Sequence, residues 1–275
     1  MKSPKETTLE EKILHSLRPE LFGGEPLPYK IAEKLFSDPE VAAIQNHANT
    51  VSILRLGFND HGPVHMRTVA KNAIKMLKLL NSKNIRTSLE SEGVGTFTDS
   101  LCSVIFASML HDLGMTIGRQ DHEIYSIHLA LPVIDRILAE LLPKDLEKRV
   151  IIKSTAMEGI AGHMGTHKIH SIEAGIILIA DGCDMTKGRA RIPMAISTEA
   201  KQGDIHKYSA NSIESVKITQ GAEDHKPIRI EIVMSSDVGY FQIEEVLLPK
   251  INSSPAKPFI ELLAGIEGKE LKQYL

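Results

Sequence analysis

Six side chains in this 275-residue sequence are of types that hold cations or move protons: His65, His111, Asp112, His122, His163 and Asp181. Residues 109–123 read MLHDLGMTIGRQDHE and follow the apolar run LCSVIFAS. A helix this apolar delivers His111 and Asp112 at its C-terminal end, where an acid opposes the helix dipole. An ionised carboxylate in apolar surroundings costs several kcal/mol unless it is paired or metal-bound. Asp181 poses the same problem inside IILIADGCDM. Two apolar helices that each end in an Asp are the pattern expected when carboxylates converge on a cation. Imidazole with carboxylate suits Mn, Fe, Co, Ni or Zn, with Mg also possible, at one or two ions per chain. Each histidine alone has an ordinary structural reading, as a satisfied core or surface ring. The recurrence of all six at helix ends gives the metal reading its weight.

The elements that must position them read as helices. LEEKILHSL is short and amphipathic, and SDPEVAAIQNHANTVSILRLG starts a helix with Ser37 as expected N-cap and Pro39 in its first turn. DHGPVHMRTVAKNAIKMLKLL carries Val69, Ala73, Met76, Leu77 and Leu80 at helical spacing. NSKNIRTSLESEGVGTFTDS reads as a loop, HEIYSIHLALPVIDRILAELL as a helix kinked at Pro132, and two further helices carry His163 and Asp181. Helical patterning ends near residue 195. SIESVKITQ and PIRIEIVMS then alternate as a hairpin, and YFQIEEVLLPKI and PFIELLAGIEG read as helices again. The expected fold is mainly α: a helical bundle over 1–200 with core motifs in 55–195, then a small α+β element over 205–275.

HMRTVA, MLHDLG and ILIADGCD together resemble the HD-domain superfamily of metal-dependent phosphohydrolases. The resemblance covers about residues 55–195 and implies that His65, His111, Asp112 and Asp181 hold one metal. In members with extra histidines a second metal is held with the central Asp bridging, and His122 and His163 fit those positions. His128 and His167 compete for the same roles. The Gly-Tyr-Pro motif of the cyclic di-GMP subgroup is absent from the sequence. The implied activity is hydrolysis of a phosphate ester or anhydride of a nucleotide or other small phosphorylated compound, by a water that two cations acidify.

Phosphate also needs contacts from the chain. DMTKGRARIP, after the Asp181 helix, offers Lys187, Arg189 and Arg191, with Arg67 and Arg119 as further candidates. Asp112, Arg119, Asp184 and Lys187 are the residues expected to take part in the chemistry, Asp184 because it lies one helical turn beyond Asp181. Asp60 and His61 could act likewise or simply form the helix entry. Two other classes stay open: a dinuclear-iron oxygenase on the same scaffold, and a regulatory module that binds a nucleotide without turnover.

Composition limits the partners. Net charge is −3, hydrophobic residues make up 42% and aromatics 4%, with no tryptophan. Nothing there favours a nucleic-acid or membrane-surface binder or a surface that stacks bases. No stretch approaches the ~18–20 apolar residues of a membrane span. Cys102 and Cys183 are too few for a disulfide framework, and MKSPKETTLEEKILHSL lacks a secretory apolar stretch, so a reducing cytoplasm is expected. A two-stranded hairpin is marginal with an uncovered apolar face, which predicts a homo-oligomer.

Overall fold

The computed structural model describes residues 2–187 and 204–275. The first stretch holds α1 (Pro4–Ser16), α2 (Leu27–Ser37), α3 (Pro39–Thr50), α4 (Pro63–Ser82), the short α5 (Ser88–Ser91), α6 (Phe97–Leu110), α7 (His122–Leu141), α8 (Leu146–Gly162) and α9 (Ile172–Gly182). The second holds α10 (Asp204–Asn211), β1 (Ile213–Gln220), β2 (Ile228–Met234), α11 (Leu248–Ser253), β3 (Ile260–Ile266) and β4 (Lys272–Gln273). The chain is mainly α with a small C-terminal α+β part, as its patterning predicts.

The helices without a polar face lie at the centre. Every residue of α6 from Asp99 to Leu110 is buried, as is every residue of α9 from Glu173 to Gly182. α6 opens with a capping box in which Thr96 and Asp99 satisfy each other's backbone N–H groups. Glu173, buried in α9, accepts from the N–H groups of Ser88 and Leu89 and from Ser100 Oγ at 3.2, 3.2 and 2.7 Å. That carboxylate fastens α5 to the α6–α9 pair.

Several local expectations change. The stretch read as a loop contains α5 and the start of α6, because Thr87 with Glu90 and Thr96 with Asp99 form two capping boxes. Asp38, not Ser37, caps α3; its Oδ1 accepts from Glu40 N and Val41 N, whereas Ser37 is the last residue of α2. The helix expected through Pro132 does form, as α7. PFIELLAGIEG contains β3, not a helix. A parallel strand buried on both faces reads as a continuous apolar run, which periodicity does not separate from a buried helix.

The sheet has the order β1-β2-β3-β4, with β2 and β3 parallel and the outer pairs antiparallel. A parallel pair needs a crossover, and here it is the π-helical turn Gln242–Leu247 followed by α11. α11 packs on α9, and the backbone just after it closes on Gly175 of α9, where a Cβ would lie 2.5 Å from Ser254 Oγ and 3.1 Å from Ala256 N. α4 packs on β1 and β2, and Ile228, Ile230, Ile232 and Met234 belong to the same core as Ile74 and Leu77 of α4. The hairpin's apolar face is thus covered within the chain, and the reason for expecting an oligomer falls away.

One close approach fixes the start of α7. Gly114, in the 3-10 turn Leu113–Thr116, lies where a Cβ would meet the carbonyl oxygen of His122 at 2.0 Å and Ser126 N at 2.7 Å. Its N–H donates to Ser126 Oγ at 2.8 Å. Gly114→Ala should therefore push α7 outward, carry His122 with it, and cost about 1–3 kcal/mol in chemical denaturation. An unchanged denaturation midpoint would contradict this packing.

Candidate metal centre

The cluster forms because helix ends converge. His65 lies in the first turn of α4, His111 is the C-cap of α6 with Asp112 next, His122 opens α7, His163 is the C-cap of α8, and Asp181 sits in the last turn of α9. All six side chains are buried, His65, His111, His122 and His163 at 1% exposure or less. His65, His111 and Asp181 bring donor atoms within 4.8 Å of one another, as do His111, Asp112 and His163. These groups can hold a metal ion.

The hydrogen bonds fix which ring nitrogen faces inward. Nδ1 of His111 lies 2.8 Å from Ser108 O, Nδ1 of His122 lies 2.9 Å from Arg119 O, and Nδ1 of His163 lies 2.7 Å from Ile160 O. A carbonyl only accepts, so each Nδ1 carries the proton and donates. In each case the carbonyl belongs to the residue three positions earlier, and for His111 and His163 the bond also satisfies a carbonyl at a helix end. His65 Nδ1 lies 2.7 Å from Asp184 Oδ2. Metal-binding histidines characteristically donate their outer N–H to a carbonyl or carboxylate in this way.

The inward Nε2 atoms are then bare acceptors when the rings are neutral. His65 Nε2 faces His111 Nε2 at 3.2 Å, and His122 Nε2 faces His163 Nε2 at 3.0 Å. Asp112 lies between the pairs. Its Oδ2 is 3.2 Å from His65 Nε2 and 3.3 Å from His111 Nε2; its Oδ1 is 3.2 Å from His122 Nε2 and 3.4 Å from His163 Nε2. Asp181 Oδ1 completes the first set, 3.2 Å from His65 Nε2 and 3.8 Å from His111 Nε2. No hydrogen-bond donor is directed at buried Asp112 Oδ2. Two sets of lone pairs meeting at these distances, with a buried oxygen left over, fit cations.

Electrostatics agree. Burial raises the Asp112 carboxyl, but the positive charge that the surrounding imidazoles carry when protonated, His111 and then His61, outweighs it and holds the carboxyl well below the usual carboxylate range. Burial likewise raises Asp181, and Lys250 and His65 outweigh it. For His163 burial dominates and brings the ring down to about 4, so it is neutral at neutral pH.

Sequence reasoning missed two supports. Lys250, in α11, donates from Nζ to Asp181 Oδ2 and, at 2.9 Å, to His163 O. The C-terminal part thus reaches into the cluster across 69 residues of sequence. Glu123 Oε2 lies 3.3 Å from His122 Nδ1, and its Oε1 accepts from Thr166 Oγ1 at 2.8 Å. Its only sequence signal was adjacency to His122.

The expected phosphate contacts divide. Arg67 is not one of them. It is 2% exposed and donates from Nε to Glu10 Oε1, and from Nη1 to Gln45 Oε1 and Pro63 O, at 2.8, 2.9 and 3.0 Å. Gln45 Nε2 in turn donates to Met109 O at 2.8 Å. Arg67 therefore ties α1, α3 and α4 to the end of α6 from which His111 projects. Arg119 donates to Met164 Sδ, beside His163, and has no ion pair among the described residues. Lys187 is exposed and paired with Glu214 of β1. Arg189 and Arg191 lie outside the described residues. Asp184 is at the site, holding the outer nitrogen of His65. His128 is exposed and bonded to Ile124 O, and exposed His167 lies near Glu123, so neither takes the place of His122 or His163. Asp60 Oδ1 accepts from Gly62 N just ahead of α4, and His61 faces Asn59 O and Ser52 Oγ.

The sequence is 40% identical over 248 residues to the uncharacterized protein MJ1020 of Methanocaldococcus jannaschii, with 90% of this chain and 93% of that protein aligned. The chain belongs to the MJ1020 family. No family model and no solved structure matches it. Among the described residues no helix is long and apolar enough to cross a membrane.

Two outcomes follow from this geometry. Removing one partner of a buried, hydrogen-bonded ion pair leaves an uncompensated charge, so Arg67→Ala should cost about 3–5 kcal/mol in urea unfolding. A loss below about 1 kcal/mol would rule out Arg67 as the tie between α1, α3 and the end of α6. For His163, the folded value of about 4 lies below the ordinary 6.5. The unfolded chain takes up that proton first, so stability is complete above pH 6.5 and falls towards pH 4. That loss approaches about 3 kcal/mol in the metal-free protein. His163→Gln should flatten that part of the melting temperature–pH curve.

Proposed function

We propose that the protein is a divalent-metal-dependent phosphohydrolase of the HD-domain type. It would hydrolyse a phosphate ester or anhydride of a nucleotide or another small phosphorylated compound. The observation that carries this reading is the division of Asp112, with one oxygen towards His65 and His111 and the other towards His122 and His163. His65, His111, Asp112 and Asp181 would hold one ion; Asp112, His122 and His163 would hold a second. Imidazole with carboxylate favours Mn, Fe, Co, Ni or Zn over an oxygen-only Mg site. When bound, such ions supply acidification of water and neutralisation of charge on the phosphoryl oxygens.

The chain's own residues supply the rest. Asp184 keeps the proton of His65 on Nδ1 and its Nε2 lone pair inward, and backbone carbonyls do the same for the other three rings. Glu123 steadies His122. The Arg119 guanidinium, beside His163 and without an ion pair among the described residues, would grip a phosphoryl oxygen. Lys250 keeps positive charge at Asp181 and is a second candidate for the substrate's anion once a cation takes that carboxylate.

The test pairs elemental analysis with turnover. Protein reconstituted with Mn or Fe should carry up to two ions per chain and cleave a phosphomonoester, a phosphodiester or a nucleotide. Asp112→Asn should abolish turnover and lower the metal content. Asp184→Asn, acting through His65, should weaken metal affinity about 10–100-fold. Fully loaded protein that cleaves none of these compounds would sink the proposal. Iron-dependent oxygen consumption would point to an oxygenase, and nucleotide-induced thermal shifts without product to a binding module.

A further inference from the structure

A cleft of about 460 Å³ opens between α1, α4, β1 and the residues just after α9. Its volume falls in the range of small-molecule sites, roughly 300–1,000 Å³. Lys5 and Lys12 of α1 and Lys71 of α4 line it, and none of them has an ion pair among the described residues. Asn72 also lines it; that side chain is 7% exposed and makes no hydrogen bond among the described residues. Its amide is not among the fully enclosed unsatisfied groups, so it opens into the cleft and its donors and acceptor are available to a ligand. Among the described residues the one acid in the lining is Asp184, which is bonded to His65 Nδ1. Among the described residues no aromatic ring contributes to the walls.

We infer that this cleft is a binding site for a compact oligophosphate, held by Lys5, Lys12, Lys71 and Asn72, on the far side of Asp184 and His65 from the metal cluster. Three ammonium groups around one opening repel each other, and an anion with several charges relieves that repulsion where a solvent ion does so only weakly. Burial, together with the charges of Lys12, Lys75 and Lys5, brings the Lys71 ammonium below its ordinary range despite Asp184. Asn72 supplies donors that point recognition at oxygen rather than at charge alone. The absence of an aromatic wall excludes recognition by base stacking within the cleft. The ligand is therefore either a free oligophosphate or the phosphate tail of a nucleotide whose base lies outside.

The inference does not depend on the proposed hydrolysis, and its test reads binding rather than turnover. Methylenediphosphonate, whose P–C–P bridge resists hydrolysis, is titrated calorimetrically into the full-length protein as purified, at physiological ionic strength. Saturable binding is expected, weakened about tenfold or more by the exposed pair Lys5→Ala with Lys12→Ala and separately by Asn72→Ala. It should survive Asp112→Asn, and Lys153→Ala, which removes an ordinary surface pair with Asp135, should leave it unchanged. Affinity that ignores the cleft substitutions, or that disappears with Asp112→Asn, would overturn the inference by assigning the anion to the metal cluster. A methylene-bridged nucleoside triphosphate that binds more tightly than methylenetriphosphonate identifies a nucleotide tail; equal or weaker binding identifies a free oligophosphate.

Discussion

Two pairs of imidazole nitrogens face each other across one buried carboxylate, and the rest of the structure is organised around that constraint. Lone pairs at 3.0 and 3.2 Å repel unless a positive charge stands among them. The chain maintains the arrangement by committing every outer nitrogen to an acceptor, three times to the carbonyl three residues back and once to Asp184. The rings therefore cannot turn to relieve the repulsion without breaking a buried hydrogen bond. A cation resolves the conflict where rotation does not, which is why the donor set points to metal more strongly than any one residue in it.

Holding that set in place takes long-range structure at each helix end. The α6 terminus is held through Met109 O, Gln45, Arg67 and Glu10, a chain of buried polar contacts that crosses four helices. The α7 start is held by the missing side chain of Gly114. The α9 end is met by Lys250, brought there by the crossover between parallel strands. The small sheet is therefore part of the site's support, since its topology sets where α11 lies on α9.

The same geometry separates two regions of opposite character on either side of His65. Inward lies the carboxylate and imidazole cluster; outward, past Asp184, lies a cleft lined by Lys5, Lys12 and Lys71. Asp184 belongs to both. One side chain thus fixes a candidate ligand's tautomer and lines the cleft, joined to His65 by a hydrogen bond of 2.7 Å.

Much of this was legible in the sequence, and the division follows the range of the forces. The six donors, their places at helix ends and the mainly helical fold could be read because apolar periodicity and the cost of an ionised acid in an apolar run are local. β1 and β2 were legible for the same reason, whereas β3 was not: IELLAGI is buried on both faces and carries no alternation. Arg67 read as a phosphate contact because its residue type permits that role, and only burial against Glu10 and Gln45 shows it to be structural. Lys250 had no sequence signal linking it to Asp181, and Asn72 looked like any polar residue on a helix face. What the sequence by itself determined is the identity of the donors and the ends of the helices that carry them. The tertiary structure alone decided which oxygen of Asp112 meets which pair of rings, and which charges are buried, because those outcomes depend on how helix ends far apart in sequence pack together.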